Sequence, residues 1–435
     1  MKMFRVLLLV LAIYSPLLAQ KKASTFGEQR TLVVIANDPS LLGPAQEAFF
    51  GTSWGSLDSF YQDSSYGLTW FTGDIYLATF SMPSTCDVLA VKASADAAAV
   101  SQGANMDAYT RHIYVVPGIS CSWSGFSTWG PGYTTPNGTT YSAVWLRGLG
   151  PWNHEMGHSF GLSHAGTLNP YYDRGDPTDV MGVATRQFNG PHKEDLGWVT
   201  AQTVTADGTY FVTPLELTGG SPLLKIPKPD TAAFYYVSYR QPVGPYDGSF
   251  SPTLTAGVSI HVWRHVQWND DTTWPADPNA WVTRLVDTTP GTSSGFLDAP
   301  LVDGSSFYDS TNKIKITQVG HTDAGAGITV EFGVGPPPPP GPNTPPVVTI
   351  SSPPSGAVYT CPKRVQFSGA VIDAEDGNIS STLVWTDGGS TLGTGATISY
   401  NYGCGAVGSH TVTATAKDKQ GGVGAASVGF AIRRK

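Results

Sequence analysis

Charge is scarce in this chain. Lysine and arginine number 25 and the acids 33, together 13% of 435 residues, which is about half the usual share of a soluble protein. Serine, threonine, asparagine and glycine must therefore cover most of the surface. Glutamate is rarer still, with seven residues against 26 aspartates, while glycine reaches 50 and proline 33. That balance favours turns and strands over helices. A net charge of −8 with no basic patch excludes a sequence-independent grip on nucleic acid. After the N-terminus no run reaches the roughly 18 apolar residues a membrane helix needs, and no lipidation signal closes the chain, so no membrane span is expected. Four cysteines are an even, pairable set. Their positions favour Cys86 with Cys121 and Cys361 with Cys404, one bridge in each of two domains. No internal repeat is present.

Residues 1–19 read as a secretory signal: Lys2 and Arg5, an apolar run over 6–14, Pro16 as a breaker, and small Ala19 before Gln20. A secreted, extracellular protein is expected. Residues 20–202 mix strands and helices: a strand at 31–35, a helix at 45–61, an alanine-rich helix near 88–100, and strands at 112–116 and 141–145. That order predicts an α/β layer architecture. Residues 203–334 alternate as an all-β, sandwich-like companion. Residues 335–346, GPPPPPGPNTPP, form a stiff polyproline spacer. The tail, 347–435, alternates between Gly/Asp turns as a small β-sandwich. Its segment Asp373-Ala-Glu-Asp-Gly-Asn-Ile-Ser followed by Val384-Trp385 resembles bacterial Ig-like and PKD-type modules.

The chemistry lies in Trp152-Asn-His-Glu-Met-Gly-His-Ser-Phe-Gly-Leu-Ser-His164, which contains H-E-x-x-H-x-x-G-x-x-H without a mismatch. On a helix, His154 and His158 leave the same face and can hold one Zn²⁺. Gly161 can take the positive φ that ends the helix, so that His164 approaches the same ion. Three neutral imidazoles leave one position for water, and Glu155 is the neighbour placed to take its proton. A shuffled chain of this composition would carry these five fixed positions with probability on the order of 10⁻⁵. A structural zinc site would normally close with a fourth protein ligand. Further on, Asp176-Pro-Thr-Asp-Val-Met-Gly182 offers a turn that carries Met181.

Together with Gly27-Glu-Gln-Arg-Thr-Leu-Val-Val-Ile, Ser64-Ser-Tyr-Gly-Leu and Phe188-Asn-Gly-Pro-His-Lys-Glu-Asp-Leu-Gly-Trp198, these motifs resemble gametolysin-type (autolysin) zinc metallopeptidases of the metzincin clan. The similarity runs over about residues 27 to 333, since Phe234-Tyr-Tyr-Val-Ser-Tyr-Arg-Gln241 and Leu301-Val-Asp-Gly-Ser-Ser-Phe307 are also similar to that family's β-rich region. The resemblance implies zinc ligands His154, His158 and His164, the general base Glu155, and Met181 as the floor of the site. It implies a metalloendopeptidase acting on extracellular proteins or glycoproteins, with matrix or cell-wall glycoproteins as the substrate class. Ala165 follows the third ligand, which sets the chain apart from astacins, adamalysins, serralysins and matrixins. Val183 stands where astacins and serralysins place a tyrosine, so oxyanion stabilisation would fall to the zinc and a backbone N–H. No cysteine-switch propeptide is expected.

Other candidates weigh less. His261 and His265 are four apart, but Ile260-His-Val-Trp-Arg-His265 alternates like a strand and no third ligand follows. His192 reads as a surface or structural histidine. Asp373, Glu375 and Asp376 are a candidate Ca²⁺ cluster, with a solvated turn as the plainer reading. The tail could hold the enzyme at an extracellular surface or polymer, and a monomer is expected. Residues 141–145 are the candidate sheet edge for substrate. The rival reading is a secreted adhesion or binding protein with a structural zinc site, which would have no use for Glu155.

Overall fold

The computed structural model describes residues 24–150, 152–183, 186–264, 282–335 and 343–435. The expected signal at 1–19, His265 and most of the proline spacer lie outside them. The chain is β-rich, with several sheets and few helices, and it divides into two compact units at 336/337.

The first unit opens with β1 (Gly27–Ala36), α1 (Leu42–Phe50), α2 (Leu57–Ser64), β2 (Thr69–Ala78), α3 (Val88–Ser101), β3 (Arg111–Val115), β4 (Gly125–Ser127), β5 (Tyr133–Thr134), β6 (Thr140–Leu146), α4 (Trp152–Ser159), β7 (Ala165–Thr167) and α5 (Gly190–Asp195). Strands β2, β1, β3 and β6 are parallel in that order, and β4 closes the sheet antiparallel to β6. Strand β1 is buried on both faces and reads as a continuous apolar run, as a central parallel strand should. Val33 and Ile35 pack with α1, α2 and α4, while Leu32 and Val34 pack with α3. Cys86 is bridged to Cys121 in this region, as expected.

Two expectations need correction. The helix expected over 45–61 is two helices, because Gly55 takes φ +92° and Ser56 caps α2, its Oγ accepting from the Ser59 amide at 3.1 Å. Nor is 141–145 a sheet edge. Strand β6 lies between β3 and β4, and the outer position belongs to the three-residue β4. A strand that short carries no periodic signal of its own.

The chain continues with β8 (Gln202–Thr203), β9 (Gly208–Val212), β10 (Leu223–Lys228), β11 (Ala233–Tyr239), β12 (Gly257–Trp263), β13 (Thr283–Leu285), β14 (Leu301–Val302), β15 (Ser306–Asp309), β16 (Ile314–Thr322) and β17 (Gly325–Phe332). One sheet runs β7-β13-β12-β11-β10-β8 with β14 on β12, and a second runs β15-β16-β17-β9. Val237, Ile260, Ile316 and Ile328 share the core between them. Strand β7 belongs to this β-rich sheet, yet it begins one residue after His164, pairing in parallel with β13. The second unit is a sandwich of a four-stranded and a five-stranded sheet around Phe367, Trp385, Val412 and Phe430, with Cys361 bridged to Cys404.

Candidate metal centre

Helix α4 ends in a Schellman turn. The Gly161 amide donates to the His158 carbonyl at 2.8 Å, the Leu162 amide to the Gly157 carbonyl at 3.1 Å, and Gly161 takes φ +100°. That reversal brings His164 back towards the helix, and the ligand atoms of His154, His158 and His164 all lie within 4.8 Å of one another. Among the described residues this is the one cluster of three or more such groups able to share a metal ion.

Each imidazole is oriented through its Nδ1. His154 Nδ1 meets the Val180 carbonyl at 2.9 Å, His158 Nδ1 the Leu162 carbonyl at 2.8 Å, and His164 Nδ1 the Asp173 carboxylate at 2.7 Å. These partners leave the three Nε2 atoms for a metal, which is the usual outer-shell arrangement of histidine ligands. Burial lowers the His154 pKa, and burial takes that of His158 down to about 3, so both rings stay neutral and able to ligate. Burial pushes the Glu155 carboxyl up to about 7, against the pull of Arg174. The donor set fits a zinc ion with an open coordination position.

Beneath the ligands the packing is close. A Cβ on Gly157 would sit 2.3 Å from Met181 Sδ, so the glycine in the motif lets the fully buried Met181 rise against α4. The turn beneath is fixed by Asp179, whose carboxylate accepts from the Met181 amide at 2.6 Å, the Asn189 amide at 2.6 Å and His192 Nδ1 at 2.9 Å. His192 is thus a buried structural partner of the turn. Asp176 accepts from His261 Nε2 at 2.9 Å, which places His261 beneath the site and outside the ligand cluster. Arg240 donates to the Thr178 carbonyl at 3.1 Å while its other nitrogens bond Glu216 and Asp247, each at 2.6 Å. The β-rich region therefore holds this turn through two buried side chains. Arg111, on β3, braces the C-terminal end of α4 by donating to the Ser159 carbonyl at 2.6 Å.

Above the ligands lies an open cleft of about 760 Å³, walled by Trp123, Phe126, Trp129, Trp152 and Val183. Gly125 of β4 touches the carboxylate-bearing residue: a Cβ there would lie 2.5 Å from Glu155 Cγ. Gly125, Asp173 and Asp179 were not identified from the sequence. Only Asp179 left a signal, as a turn-former two residues before Met181. In the second unit, Asp373 Oδ1 accepts from the Glu375 and Asp376 amides at 2.9 and 2.6 Å, and Asp376 accepts from the Lys419 amide at 2.8 Å. Those carboxylates serve a turn, and the three are not gathered about one point.

Three converging imidazoles beside a carboxylate in an open cleft are equipment suited to hydrolysis, and the comparisons find peptidases similar to part of this chain. Residues 44–234 match the family profile described as gametolysin peptidase M11, and residues 346–414 match that of a bacterial Ig domain. Over those regions the chain is similar to gametolysin-type peptidases and, behind them, to bacterial Ig domains. It is similar to an autolysin of Chlamydomonas reinhardtii, with 28% identity over 207 residues, 36% of this chain and 31% of the autolysin. The chain thus spans about a third of that relative's length. Among solved structures, fibronectin(III)-like modules of Clostridium thermocellum CbhA share 20% identity over 20% of this chain and 94% of theirs, at a TM-score of 0.17. An extracellular domain from B. thetaiotaomicron shares 10% identity over 50% of this chain and 32% of its own, at 0.14. Scores this low carry no argument about fold.

Proposed function

We propose that this chain is a secreted zinc endopeptidase that hydrolyses peptide bonds of extracellular proteins or glycoproteins. The observation that carries the reading is the convergence of His154, His158 and His164 with every Nδ1 already engaged, beside the Glu155 carboxylate in an open cleft. His154, His158 and His164 would hold a zinc ion, which would supply a Lewis acid and a water of lowered pKa. Glu155 takes the proton of the attacking water and passes it to the leaving amine, a role suited to a carboxyl whose pKa burial raises towards neutrality. The free edge of β4, one residue of which packs on Glu155, is the place for an extended substrate to add as a strand. In this reading the α/β layer and the β-rich region make a metzincin-like catalytic body with Met181 as its floor. Residues 20–202 carry the site, 203–334 support it, and the Ig domain at 347–435 tethers a monomeric enzyme to a surface or polymer.

The test is peptide release from denatured casein by zinc-loaded wild type and Glu155→Gln, with zinc content measured in both. The variant should keep its zinc and lose activity by roughly 10²- to 10⁴-fold, the usual worth of general acid–base catalysis. Equal activity in both would remove Glu155 as the base. A zinc-loaded wild type inert on every peptide offered would favour the adhesion reading.

A further inference from the structure

The cleft contains one permanently cationic side chain, Arg174; its other charged or chargeable lining groups are Glu155 and the three histidines. The remaining wall is aromatic, small or polar without charge. Two buried arginines are taken up internally, Arg111 by Gln29, Ser142 and Ser159 and Arg240 by Glu216, Asp247 and the Thr178 carbonyl, whereas Arg174 is exposed. Arg174 makes no hydrogen bond or ion pair with any described residue.

Its backbone is nonetheless held in place. The Thr167 amide donates to the Tyr172 carbonyl at 3.0 Å and the Asp176 amide to the Ala165 carbonyl at 3.1 Å, closing the segment on both sides of Arg174. The preceding residue, Asp173, is bound to His164. Gly166 and Gly175 fit there because a Cβ would meet the Tyr172 carbonyl oxygen at 2.5 Å and Thr167 Cγ2 at 2.8 Å. A guanidinium fixed at its base, unpaired at its tip and facing a cleft is equipped for an anionic ligand. A carboxylate matches its forked donors.

We infer that Arg174 forms a carboxylate-binding subsite beside the three histidines, so that the enzyme prefers peptides with aspartate or glutamate next to the scissile bond. The inference rests on the peptidase reading of the same cleft and deepens it by naming a substrate class. The net charge of −8 does not oppose it, because a direct contact acts well inside the Debye length of about 8–10 Å.

The experiment uses the full zinc-loaded chain and peptides that differ only in having Asp, Asn or Lys at each of the two positions on either side of the cleaved bond. At one position wild type should favour Asp over Asn by on the order of ten- to a hundredfold in kcat/KM, the worth of a charged hydrogen bond. Arg174→Gln should bring the Asp/Asn ratio of kcat/KM to about one, whatever common change it makes in both peptides, and Arg174→Glu should turn the preference towards Lys. Equal slowing of Asp and Asn peptides in Arg174→Gln would overturn the inference and make the arginine a general catalytic group. Absence of any Asp preference in wild type would also overturn it.

If wild type cleaves none of these peptides, the peptidase reading fails separately. The subsite is then judged by binding, read as fluorescence quenching of Trp123, Trp129 and Trp152 during titration with the Asp and Asn peptides. Tighter Asp binding that disappears in Arg174→Gln supports the subsite, and equal binding refutes it.

Discussion

The floor of the metal centre and the wall of its cleft are made of opposite materials. Below the ligands, Asp176, Asp179, His192, Arg240 and His261 are each at least 99% buried, and each is tied by hydrogen bonds to another element. Above them, Val183 is 65% exposed, Phe126 44% exposed, and Arg174 is exposed and makes no hydrogen bond or ion pair with any described residue. Groups that are saturated internally fix geometry, and groups left unsaturated at a concave surface are available to a ligand. The difference separates residues that keep the imidazoles in place from residues open to a ligand in the cleft.

The sharpest way to break the comparison is to cut the floor from the β-rich side. Arg240→Met leaves Glu216 and Asp247 buried beside an apolar chain and releases the Thr178 carbonyl. Removing one partner of such a buried network costs about 3–5 kcal/mol, to be read from urea unfolding of the zinc-loaded protein. A loss below about 1 kcal/mol would show that the turn stands without this brace.

A smaller effect should appear as acid sensitivity. Burial alone would raise the Asp176 pKa, but the hydrogen bond and charge of His261, with help from Thr178, take it down to about 2 from the usual 3.8. A carboxyl depressed by folding contributes stability that is complete above its unfolded pKa and lost as pH falls through the folded one. Wild type should therefore lose about 2 kcal/mol between pH 4 and pH 2 from this group. Asp176→Asn should lack that portion of the slope in denaturant titrations at stepped pH, and identical slopes would place the acid sensitivity elsewhere.

What was legible in the sequence follows the same division. The gathering of the three histidines was readable because the helix period sets His154 against His158 and because Gly161 announces a reversal. Both disulfides were readable from the number and positions of the cysteines, α3 from its alanines and β1 from its apolar run. The brace was hidden: His261 looks like any residue of an alternating strand, and its partner Asp176 lies 85 residues away. Strand β7 was hidden because three residues carry no period, and its partner β13 comes more than a hundred residues later. Arg174 belongs to no motif, and only its place in the cleft makes it notable.

Gly125 sits where floor and wall meet, and its substitution has the smallest expected effect on stability. Its φ is not in the left-handed region, so alanine is tolerated by the backbone. The new methyl would instead lie 2.5 Å from Glu155 Cγ and 2.7 Å from Oε1. That flexible carboxyl arm must swing into the open cleft, which relieves the clash at little cost. Gly125→Ala should thus unfold within about 0.5 kcal/mol of wild type, as substitutions away from buried networks do. Its zinc content should be unchanged, because no ligand moves. Turnover should nevertheless fall by roughly tenfold or more, since the proposed general base would be displaced and would lose part of a contribution worth about 10²–10⁴. Loss of stability together with activity would place β4 in the floor. Full activity would mean that Glu155 works from a position other than the one packed against this strand.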